Sequence, residues 1–341
     1  MKSAPHIGSM EAGARGSIAD VAGVSVGHCT LNDGDVQTGV TVVRPHDGDV
    51  YRNKVPAASC VINGFGKSTG LVQVDELGVL ETPIALTNTF GVGTVANAQT
   101  HSACEINPMI GRDRPSVNPL VFECNDGYLN DMQAFAVQEA HYRDALAACS
   151  QDFARGAVGA GRGMSCFELK GGIGTASRIA HIEGRTYVTG ALVLANFGRL
   201  PQLTIAGDHV GRRLHAAKQT KIAPEQGSII MLIATDAPLD SRQLRRLAMR
   251  AAAGLARTGS VYGHGSGDIA LAFSTAYTVA HNAAFIAMPP LLADAFIDPL
   301  FQAAADSIEQ AILDALFSAE SVTGRDGHRR ISLTDALKTQ P

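Results

Sequence analysis

The chain has 341 residues, of which 45% are hydrophobic and 18% charged, an ordinary globular composition with enough apolar material for a sizeable core. Its net charge of −4, without a cluster of basic residues, argues against a nucleic-acid partner. The 36 glycines are scattered without a period, which excludes a collagen-like or low-complexity chain and indicates tight turns instead.

The N-terminal region and the cysteines bear on the cellular compartment. Residues 1–17 lack the apolar core of a signal peptide and are expected to form a loose tail. No run of about 18 uncharged apolar residues indicates a membrane span. The six cysteines lie far apart, with no CxxC pair and no Cys/His spacing typical of zinc. We therefore expect a cytoplasmic protein with no membrane or metal partner.

Short runs of β-branched residues, separated by glycine turns, occupy the first third of the chain and predict strands. They are VSVG from Val24, GVTVVR (39–44), SCVINGFG (59–66), TPIALTNT (82–89) and PLVFE (119–123). A helix is predicted next, with Asn130 or Asp131 as its N-cap.

The second half of the chain combines buried strands with amphipathic helices. A glycine-dense loop (156–177) leads into YVTGALVLAN (187–196), which is apolar on both faces and is therefore expected to be covered on both sides. IIMLIAT (229–235) has the same character, and IALAFS (269–274) is a third buried strand.

Two long helices are predicted in this half. The first starts at Asp240 or Ser241 and ends at Gly259. The second begins with Asp298 as N-cap and Pro299 at the first helical position. Its predicted inward face consists of Leu300, Ala304, Ile308, Ala311, Ile312 and Ala315. Residues beyond about 320 are expected to be peripheral.

Strands that are apolar on both faces, together with amphipathic helices, predict sheets covered by helices. The absence of a linker or repeat favours one large α/β unit, residues 1–341, over two domains. The run of strands before the first long helix argues against a doubly wound Rossmann sheet.

Familiar catalytic motifs do not fit. NGFGKSTG (63–70) has Val61 where a Walker A loop needs its first glycine. GGIGTAS (171–177) has Ser177 in place of the third glycine of a dinucleotide loop. His264 stands two positions before Ser266, where a nucleophile elbow needs glycine, and HExxH does not occur.

The segment QGSIIMLIATD (226–236) places a Gly-Ser pair at the start of a buried strand. If the bond between Gly227 and Ser228 breaks, Ser228 carries both a hydroxyl and a free α-amine with a pKa of about 7.7–8.0. Such an amine can act as the general base, so no histidine is required. Attack of the hydroxyl on the Gly227 carbonyl, followed by ester hydrolysis, would make the cut without a protease. Taken alone, however, a Gly-Ser pair here is most often a turn.

Many other segments, taken together in their order along the chain, decide between a turn and a cleavage site at Gly227–Ser228. They are IADVAGVSVGHCT (18–30), TGVTVVRPH (38–46), NGFGKSTGLVQVDELGVLETPIALTNT (63–89), ECNDGYLND (123–131), FELKGGIGTASR (167–178), ALVLANFG (191–198), GSIIMLIATDAPL (227–239), GLARTGSVYGHGSGDIALAFSTA (254–276) and TGRDGH (323–328). In these segments the chain resembles the L-aminopeptidase/D-Ala-esterase-amidases and β-peptidyl aminopeptidases, a family of self-cleaving N-terminal-serine hydrolases.

The resemblance implies catalytic roles for four residues. Ser228 corresponds to the nucleophile, and the Gly227–Ser228 bond corresponds to the scissile bond. Asn196 corresponds to a donor of a hydrogen bond to the oxyanion. Ser266 and Asp268 correspond to a pair that orients the nucleophile and its amine, although an aspartate reaches less far than a glutamate.

The resemblance also implies substrate contacts in the loop after PLVFE. Glu123 is the candidate for binding the substrate's amino group, since a buried ammonium requires a carboxylate partner. Some relatives place a tyrosine in this loop as an oxyanion or substrate contact. The corresponding position here is Asn125, with Tyr128 as a nearby substitute.

The implied fold is a four-layer α-β-β-α sandwich resembling that of N-terminal-nucleophile hydrolases. The implied pieces are residues 1–227 and 228–341, assembled as a tetramer of processed heterodimers. The implied substrates are short peptides, amides or esters, and no metal or organic cofactor is implied.

Two alternatives stay open on the sequence. An acyltransferase of the ornithine acetyltransferase type resembles this architecture but uses an N-terminal threonine, so Ser228 argues against it. An uncleaved, non-enzymatic relative would keep the Gly227–Ser228 bond. The preference for α- or β-amino acids, or for L or D forms, does not follow from the sequence because distant loops build the pocket.

Overall fold

The structure is a computed structural model and describes residues 3–216 and 226–338. Its strands are β1 (Ser25–Asp33), β2 (Val36–Arg44), β3 (Asn53–Gly64), β4 (Val79–Leu80), β5 (Ile84–Asn88), β6 (Leu120–Cys124), β7 (Ser165–Cys166), β8 (Leu169–Lys170), β9 (Gly172–Ile182), β10 (Arg185–Asn196), β11 (Gln226–Thr235), β12 (Gly265–Ser274), β13 (Val279–Ala280), β14 (Val322–Thr323) and β15 (Arg329–Arg330). Its helices are α1 (Leu71–Leu77), α2 (Val92–Ile106), α3 (Glu139–Ala147), α4 (Val210–Ala216), α5 (Ser241–Met249), α6 (Ala251–Arg257), α7 (Asp298–Ser318) and α8 (Leu333–Lys338).

Two sheets form the centre of the molecule. The smaller sheet has the order β1-β2-β5-β6, and only its β5–β6 pair is parallel. The larger sheet has the order β13-β3-β12-β11-β10-β9, with β4 beside β3. In it β11 and β12 are parallel neighbours, while β10 and β3 run antiparallel to them. The helices α5 and α6 lie on the connection that a parallel pair requires.

Alternation along β10 and β11 explains how the sheets stack. Leu192 and Ile230 point into the core between the two sheets, whereas Val193 and Met231 face the helices on the other side. Successive side chains of a strand lie on opposite faces, so a strand that is apolar throughout is covered twice. The predicted two-sided burial of these strands is confirmed.

Helices form the two outer layers. The helices α5, α6 and α7 pack on the larger sheet, and the predicted inward face of α7 is buried throughout. The helices α2 and α3 cover the smaller sheet through Val95, Ala98, Tyr142 and Ala145. The resulting arrangement is the expected α-β-β-α sandwich. No helix within the described ranges is both long and apolar enough to cross a bilayer.

Both ends of the chain pack against this sandwich, contrary to expectation. Ile7 is buried, and the carbonyl of Glu11 accepts a hydrogen bond from the Ile179 amide of β9 (2.8 Å). Near the other end, Leu333 is fully buried in the core that includes α7. The N-terminal segment is short and forms no strand or helix over residues 7–11, so the sequence carried no signal for its packing. The C-terminal segment did carry one, because Leu333, Ala336 and Leu337 have the spacing of a helix face and Ser332 accepts a hydrogen bond from the Asp335 amide.

The first predicted helix begins later than expected. Asp131 caps a 3-10 turn (Met132–Ala134) by accepting a hydrogen bond from the Gln133 amide, and α3 starts only at Glu139. A capping residue marks the start of a turn as well as that of a helix, and here the turn is not continued.

The later helix boundaries are mostly as predicted. Asp240 caps α5, and Gly259 follows α6 with a φ of 103°. The chain nevertheless breaks at Arg250 into two helices, although no glycine or proline marks the break. The N-cap of α7 is Ile297, so Asp298 is already its first helical residue.

Candidate active site

Three neighbouring strands of the larger sheet bring candidate residues together at one end. Asn196, the last residue of β10, pairs with Ser228 near the start of β11. On the other side of β11, Gly267 of β12 pairs with Ser228. The register therefore places Ser228 between Asn196 and Gly267.

The Ser228 side chain is only 5% exposed, and its hydroxyl accepts a hydrogen bond from the Gly267 amide (3.2 Å). It lies on the same strand face as Ile230, which points into the space between the two sheets. Asn196, as the paired residue on β10, shares this face. The hydroxyl is thus fixed on a rigid strand at the rim of the inter-sheet core.

The residue before Ser228 has no room for a side chain. A Cβ on Gly227 would lie 2.2 Å from the carbonyl oxygen of Asn196. A Cβ on Gly267 would lie 2.7 Å from the carbonyl oxygen of Phe65 and 3.1 Å from Ser228 Oγ. Both glycines are therefore required by the close approach of backbone around the hydroxyl.

Both polar atoms of the Asn196 carboxamide are hydrogen-bonded. Its Oδ1 accepts a hydrogen bond from the Ser165 amide (2.8 Å), and its Nδ2 donates one to the carbonyl of Asn125 (2.9 Å). A carboxamide nitrogen has two hydrogens, so Nδ2 can bond Asn125 and still donate to an oxyanion. The predicted oxyanion donor thus lies beside the predicted nucleophile in a fixed orientation.

Ser266 and Asp268 form a buried pair on β12. Ser266 Oγ donates a hydrogen bond to Asp268 Oδ1 (2.6 Å), and both side chains are fully buried. Ser266 lies beside Gly227 in the strand register. Alternation along β12 turns both side chains toward the helix-side core, where Ala270 lies. The pair therefore flanks the Gly227–Ser228 bond from the face opposite to the hydroxyl.

Glu123 lies at the end of β6 and is buried, with both carboxylate oxygens engaged. Its Oε1 accepts a hydrogen bond from the Lys67 amide (2.7 Å), and its Oε2 accepts one from the Thr89 hydroxyl. Gly66 lies between this carboxylate and Gly267, the neighbour of the predicted nucleophile, because a Cβ on Gly66 would lie 3.5 Å from Glu123 Oε1 and 3.9 Å from the Cα of Gly267. The carboxylate is thus on the same rim as the hydroxyl.

The other two candidates of this loop are exposed. Asn125 reaches the site through its main-chain carbonyl, while its side chain accepts a hydrogen bond from the loop's own backbone. The ring of Tyr128 stacks on His328, with 4.7 Å between ring centroids, and lies 3.6 Å from the Arg330 guanidinium carbon. Tyr128 is therefore held by the C-terminal segment of the chain.

Sequence reasoning did not identify the hairpin formed by β7 and β8 as part of this site. Phe167 and Glu168 form its two-residue turn, and both have positive φ (51° and 61°). Such turns favour asparagine and glycine, so the residues Phe167 and Glu168 do not predict a turn here. The hairpin binds the end of β10 through Ser165, and through the Phe167 amide, which donates to the carbonyl of Phe197 (2.6 Å).

Two buried charges adjoin the groups that hold Asn196. Asp126 follows Asn125, and burial raises its pKa to about 7, although hydrogen bonds from neighbouring side chains oppose the shift. Lys170 belongs to the β7–β8 hairpin, and burial lowers its pKa to about 7. Burial thus disfavours the charged form of both groups, which lie next to the backbone that fixes Asn196.

The groups gathered around Ser228 are hydroxyl, carboxamide and carboxylate. In the part of the chain that the structure describes, no group of three or more His, Cys, Asp or Glu side chains is placed to hold a metal ion. Chemically, the arrangement can present a hydroxyl to a carbonyl carbon, a donor to its oxygen, and a carboxylate to a nearby cation.

Comparison with known proteins identifies a family and a close relative. A model of peptidase family S58 matches residues 16–330. Beta-peptidyl aminopeptidase BapA of Sphingosinicella microcystinivorans is 39% identical over 345 residues, which cover 93% of this chain and 85% of that protein.

Solved structures agree with this match. A Burkholderia sp. beta-aminopeptidase superposes with a TM-score of 0.89 at 40% identity, covering 98% of this chain and 97% of that one. The L-aminopeptidase D-Ala-esterase/amidase from Ochrobactrum anthropi gives a TM-score of 0.90 at 34% identity, covering 99% and 96%. That enzyme is described as a prototype for the serine aminopeptidases and as a new variant among the Ntn hydrolase fold. The predicted α/β fold, resembling the N-terminal-nucleophile hydrolases, is confirmed.

Proposed function

This chain belongs to peptidase family S58, and we propose that Ser228 becomes its nucleophile when the chain is cut between Gly227 and Ser228. The protein is a hydrolase of the aminopeptidase and amidase class. One observation carries the choice of nucleophile: the Ser228 hydroxyl lies between Asn196 and Gly267 at the start of β11. The relatives named above are aminopeptidases or amidases, which favours hydrolysis over the acetyltransferase alternative.

The cut needs only groups at the start of β11. Ser228 Oγ attacks the carbonyl carbon of Gly227, and the hydroxyl proton passes to the Ser228 nitrogen as the C–N bond breaks. Water then hydrolyses the resulting ester, which leaves a carboxylate on Gly227 and restores the hydroxyl. We assign Ser266 and Asp268 to orienting the nitrogen that becomes the α-amine, because their pair flanks this bond.

Turnover uses the same atoms. The free amine of Ser228, with an ordinary pKa of about 7.7–8.0, takes the hydroxyl proton as Oγ attacks the substrate carbonyl. Asn196 Nδ2 donates to the oxyanion, a contact whose loss typically costs about 2.7–4 kcal/mol of barrier. The protonated amine then gives its proton to the leaving group, and water releases the acyl group from Ser228.

Recognition of a free substrate amine is assigned to Glu123. A carboxylate oxygen can accept more than one hydrogen bond, so Glu123 can bind an ammonium in addition to the Lys67 amide and the Thr89 hydroxyl. Asn125 and Tyr128 are assigned to the border of the substrate site. The proposed substrates are short peptides, amides and esters with a free amino terminus.

Replacement of Glu123 by glutamine tests this assignment. Glu123→Gln keeps the size of the side chain but removes the charge that pairs with the ammonium. We expect the KM for an aminoacyl p-nitroanilide to rise on the order of 10- to 100-fold, with a smaller change in kcat. Glu76→Gln, at an exposed acid of α1, is the control and should leave both constants unchanged. An unaltered KM in Glu123→Gln would contradict the assignment.

The cut itself is tested on a denaturing gel. We expect the purified protein to give two bands, the smaller beginning at Ser228 by N-terminal sequencing. Ser228→Ala should remain a single, full-length and inactive chain, whereas the exposed control Ser116→Ala should behave like the unaltered protein. Active material whose only N-terminus is Met1 would overturn the proposal.

We further propose a cytoplasmic location and a tetramer of processed heterodimers. None of the six cysteines, all of which lie in the described ranges, forms a disulfide bond, which fits a reducing compartment. Exposed apolar side chains, among them Phe285 and Ile286 at 91% and 51% exposure, offer surface for self-association.

A further inference from the structure

We infer that Lys170 is a positioning residue of this enzyme: its buried ammonium fixes the β7–β8 hairpin, and the hairpin fixes Asn196 in the orientation that serves the oxyanion. The inference rests on the proposed role of Asn196. It adds to the reaction a residue that does not touch the substrate.

The ammonium of Lys170 is fully buried and bonded only to backbone oxygens in the contacts that the structure describes. Its Nζ donates to the carbonyls of Gly161 (2.9 Å), Met164 (2.8 Å) and Gly171 (2.8 Å). An ammonium has three donors, and all three are used. Lys170 therefore links three segments through one atom. They are the turn before the hairpin (Gly161), the residue just before β7 (Met164) and the residue just after β8 (Gly171).

The hairpin carries this constraint to the end of β10. Ser165, which directly follows Met164, donates its amide to Asn196 Oδ1. The amide of Phe167 donates to the carbonyl of Phe197, the residue that follows β10. Directly after β8, a Cβ on Gly171 would lie 2.3 Å from the carbonyl oxygen of Ala195, so the two backbones are in close contact there. The hairpin and the glycine after it thus contact Asn196 and the residues on either side of it.

The conformation of the hairpin needs such support. Phe167 and Glu168 both occupy the left-handed region, which is unfavourable for residues with a Cβ. Arg330 supports the hairpin from outside, donating to Ser165 Oγ (3.1 Å) and to the carbonyl of Glu168 (3.3 Å). Lys170 supports it from inside, where no water reaches the carbonyls.

A purely structural role would be served better by an apolar side chain, because burial of an ammonium is costly. That cost lowers the pKa of Lys170 to about 7, with Arg162 acting in the same direction and Cys166, Glu320 and Asp126 opposing it. The Lys170 ammonium instead lies where it orders the backbone that contacts Asn196, the proposed oxyanion donor. This placement is what distinguishes Lys170 from a core residue.

The test compares Lys170→Met with a matched control, Arg178→Met. Arg178 is also a buried cation bound to carbonyls, those of Ile7 and Ser177, and it lies on β9 near the N-terminal segment. Both variants are expected to lower the melting temperature. Only Lys170→Met should reduce kcat per cleaved chain, on the order of 10- to 100-fold, with KM changed less than about threefold.

A double variant separates positioning from general damage. If Lys170 acts through Asn196, then Lys170→Met combined with Asn196→Ala should be no slower than Asn196→Ala alone. Losses that multiply, or a kcat of Lys170→Met within about twofold of the unaltered enzyme, would overturn the inference. If Lys170→Met does not fold, Lys170→Gln, which keeps two N–H donors, is judged by the same two criteria.

Cleavage is scored in parallel on denaturing gels. If Lys170→Met folds but is not cleaved, the cleavage of Asn196→Ala is the deciding measurement. Failure of both variants to be cleaved supports the coupling, and normal cleavage of Asn196→Ala overturns it. Unaltered enzyme that is active without a cut at Ser228 would overturn the proposed function and this inference together. A cut, active enzyme whose Lys170→Met variant has an unchanged kcat would overturn this inference alone.

Discussion

Gly227 precedes Ser228, the proposed nucleophile, at a point where any side chain would collide with backbone. A methyl group there would overlap the carbonyl oxygen of Asn196, which cannot move unless β10 moves. Asn196 also supplies the proposed oxyanion donor, so crowding at Gly227 would displace the bond proposed to be cut and the donor at the same time.

Gly227→Ala is therefore expected to destabilise the fold by about 1–3 kcal/mol, the usual cost of overpacking. It should also slow the cut before Ser228 at least about tenfold, because the reacting atoms are misplaced. Thermal melts and a time course on denaturing gels measure the two effects. Gly93→Ala, in a helix with open space around it, is the control and should cut at the normal rate. Similar cutting in the two variants would count against this account.

Single residues differ in how far the sequence predicts them. The Gly-Ser pair is visible because a hydroxyl at the start of an apolar strand is unusual, and the resemblance pointed to Asn196 and Glu123. The sequence could not tell that Ser266 and Asp268 face away from the Ser228 hydroxyl, because that depends on strand register. The sequence did not indicate a role for Lys170, because the three carbonyls that it binds come together only in the folded loop.

Among the elements, buried strands were the easiest to predict and helices the hardest, since α1 and α2 lie in a part of the chain for which only strands were predicted. The strands around Ser228 are apolar at every position, which requires cover on both faces wherever they pair. The break at Arg250 is set by tertiary packing and leaves no mark in composition. The N-terminal segment is held on β9 by one backbone hydrogen bond and by the side chains of Ser177 and Arg178, which bond its backbone, and no apolar pattern reveals such contacts.

The turn between β9 and β10 provides a test at the scale of one element. Glu183 and Gly184 both have positive φ (46° and 74°) and are exposed, as in a two-residue hairpin turn. Asparagine tolerates this conformation better than glutamate, so Glu183→Asn should stabilise the fold by about 0.5–1 kcal/mol. Denaturant unfolding measures the change, with the β-branched Glu183→Val as the control that should destabilise. A loss of stability in Glu183→Asn would refute the turn assignment.

In the whole molecule, the two pieces expected from the cut are interleaved. β12 and all of β11 except its first two residues belong to residues 228–341, but both strands lie between β10 and β3, which belong to residues 1–227. The sequence did not predict this strand order, because β3 and β12 pair across some two hundred residues. The four layers themselves were predicted, but from the family resemblance rather than from periodicity.

This interleaving predicts that the pieces co-purify. On native gel filtration with light scattering, both pieces should elute together at the mass of four processed heterodimers, and Ser228→Ala should elute at the same volume. They should separate only in denaturant, since separation would break two central strand pairs. Release of residues 228–341 from the native protein would disprove the interleaving, and a lower mass would disprove the tetramer.

The polarity of the strands also gives the larger sheet two unlike ends. β11 and β12 start at the end where β10 and β3 finish, so the candidate catalytic residues of this sheet lie together at that end. The turn at Gly184 lies at the other end, a full twelve-residue strand away, or roughly 40 Å. An affinity tag or surface tether inserted at that turn would lie far from the candidate active site, which would still face solution. The turn between β9 and β10 is therefore a suitable position for immobilising the protein.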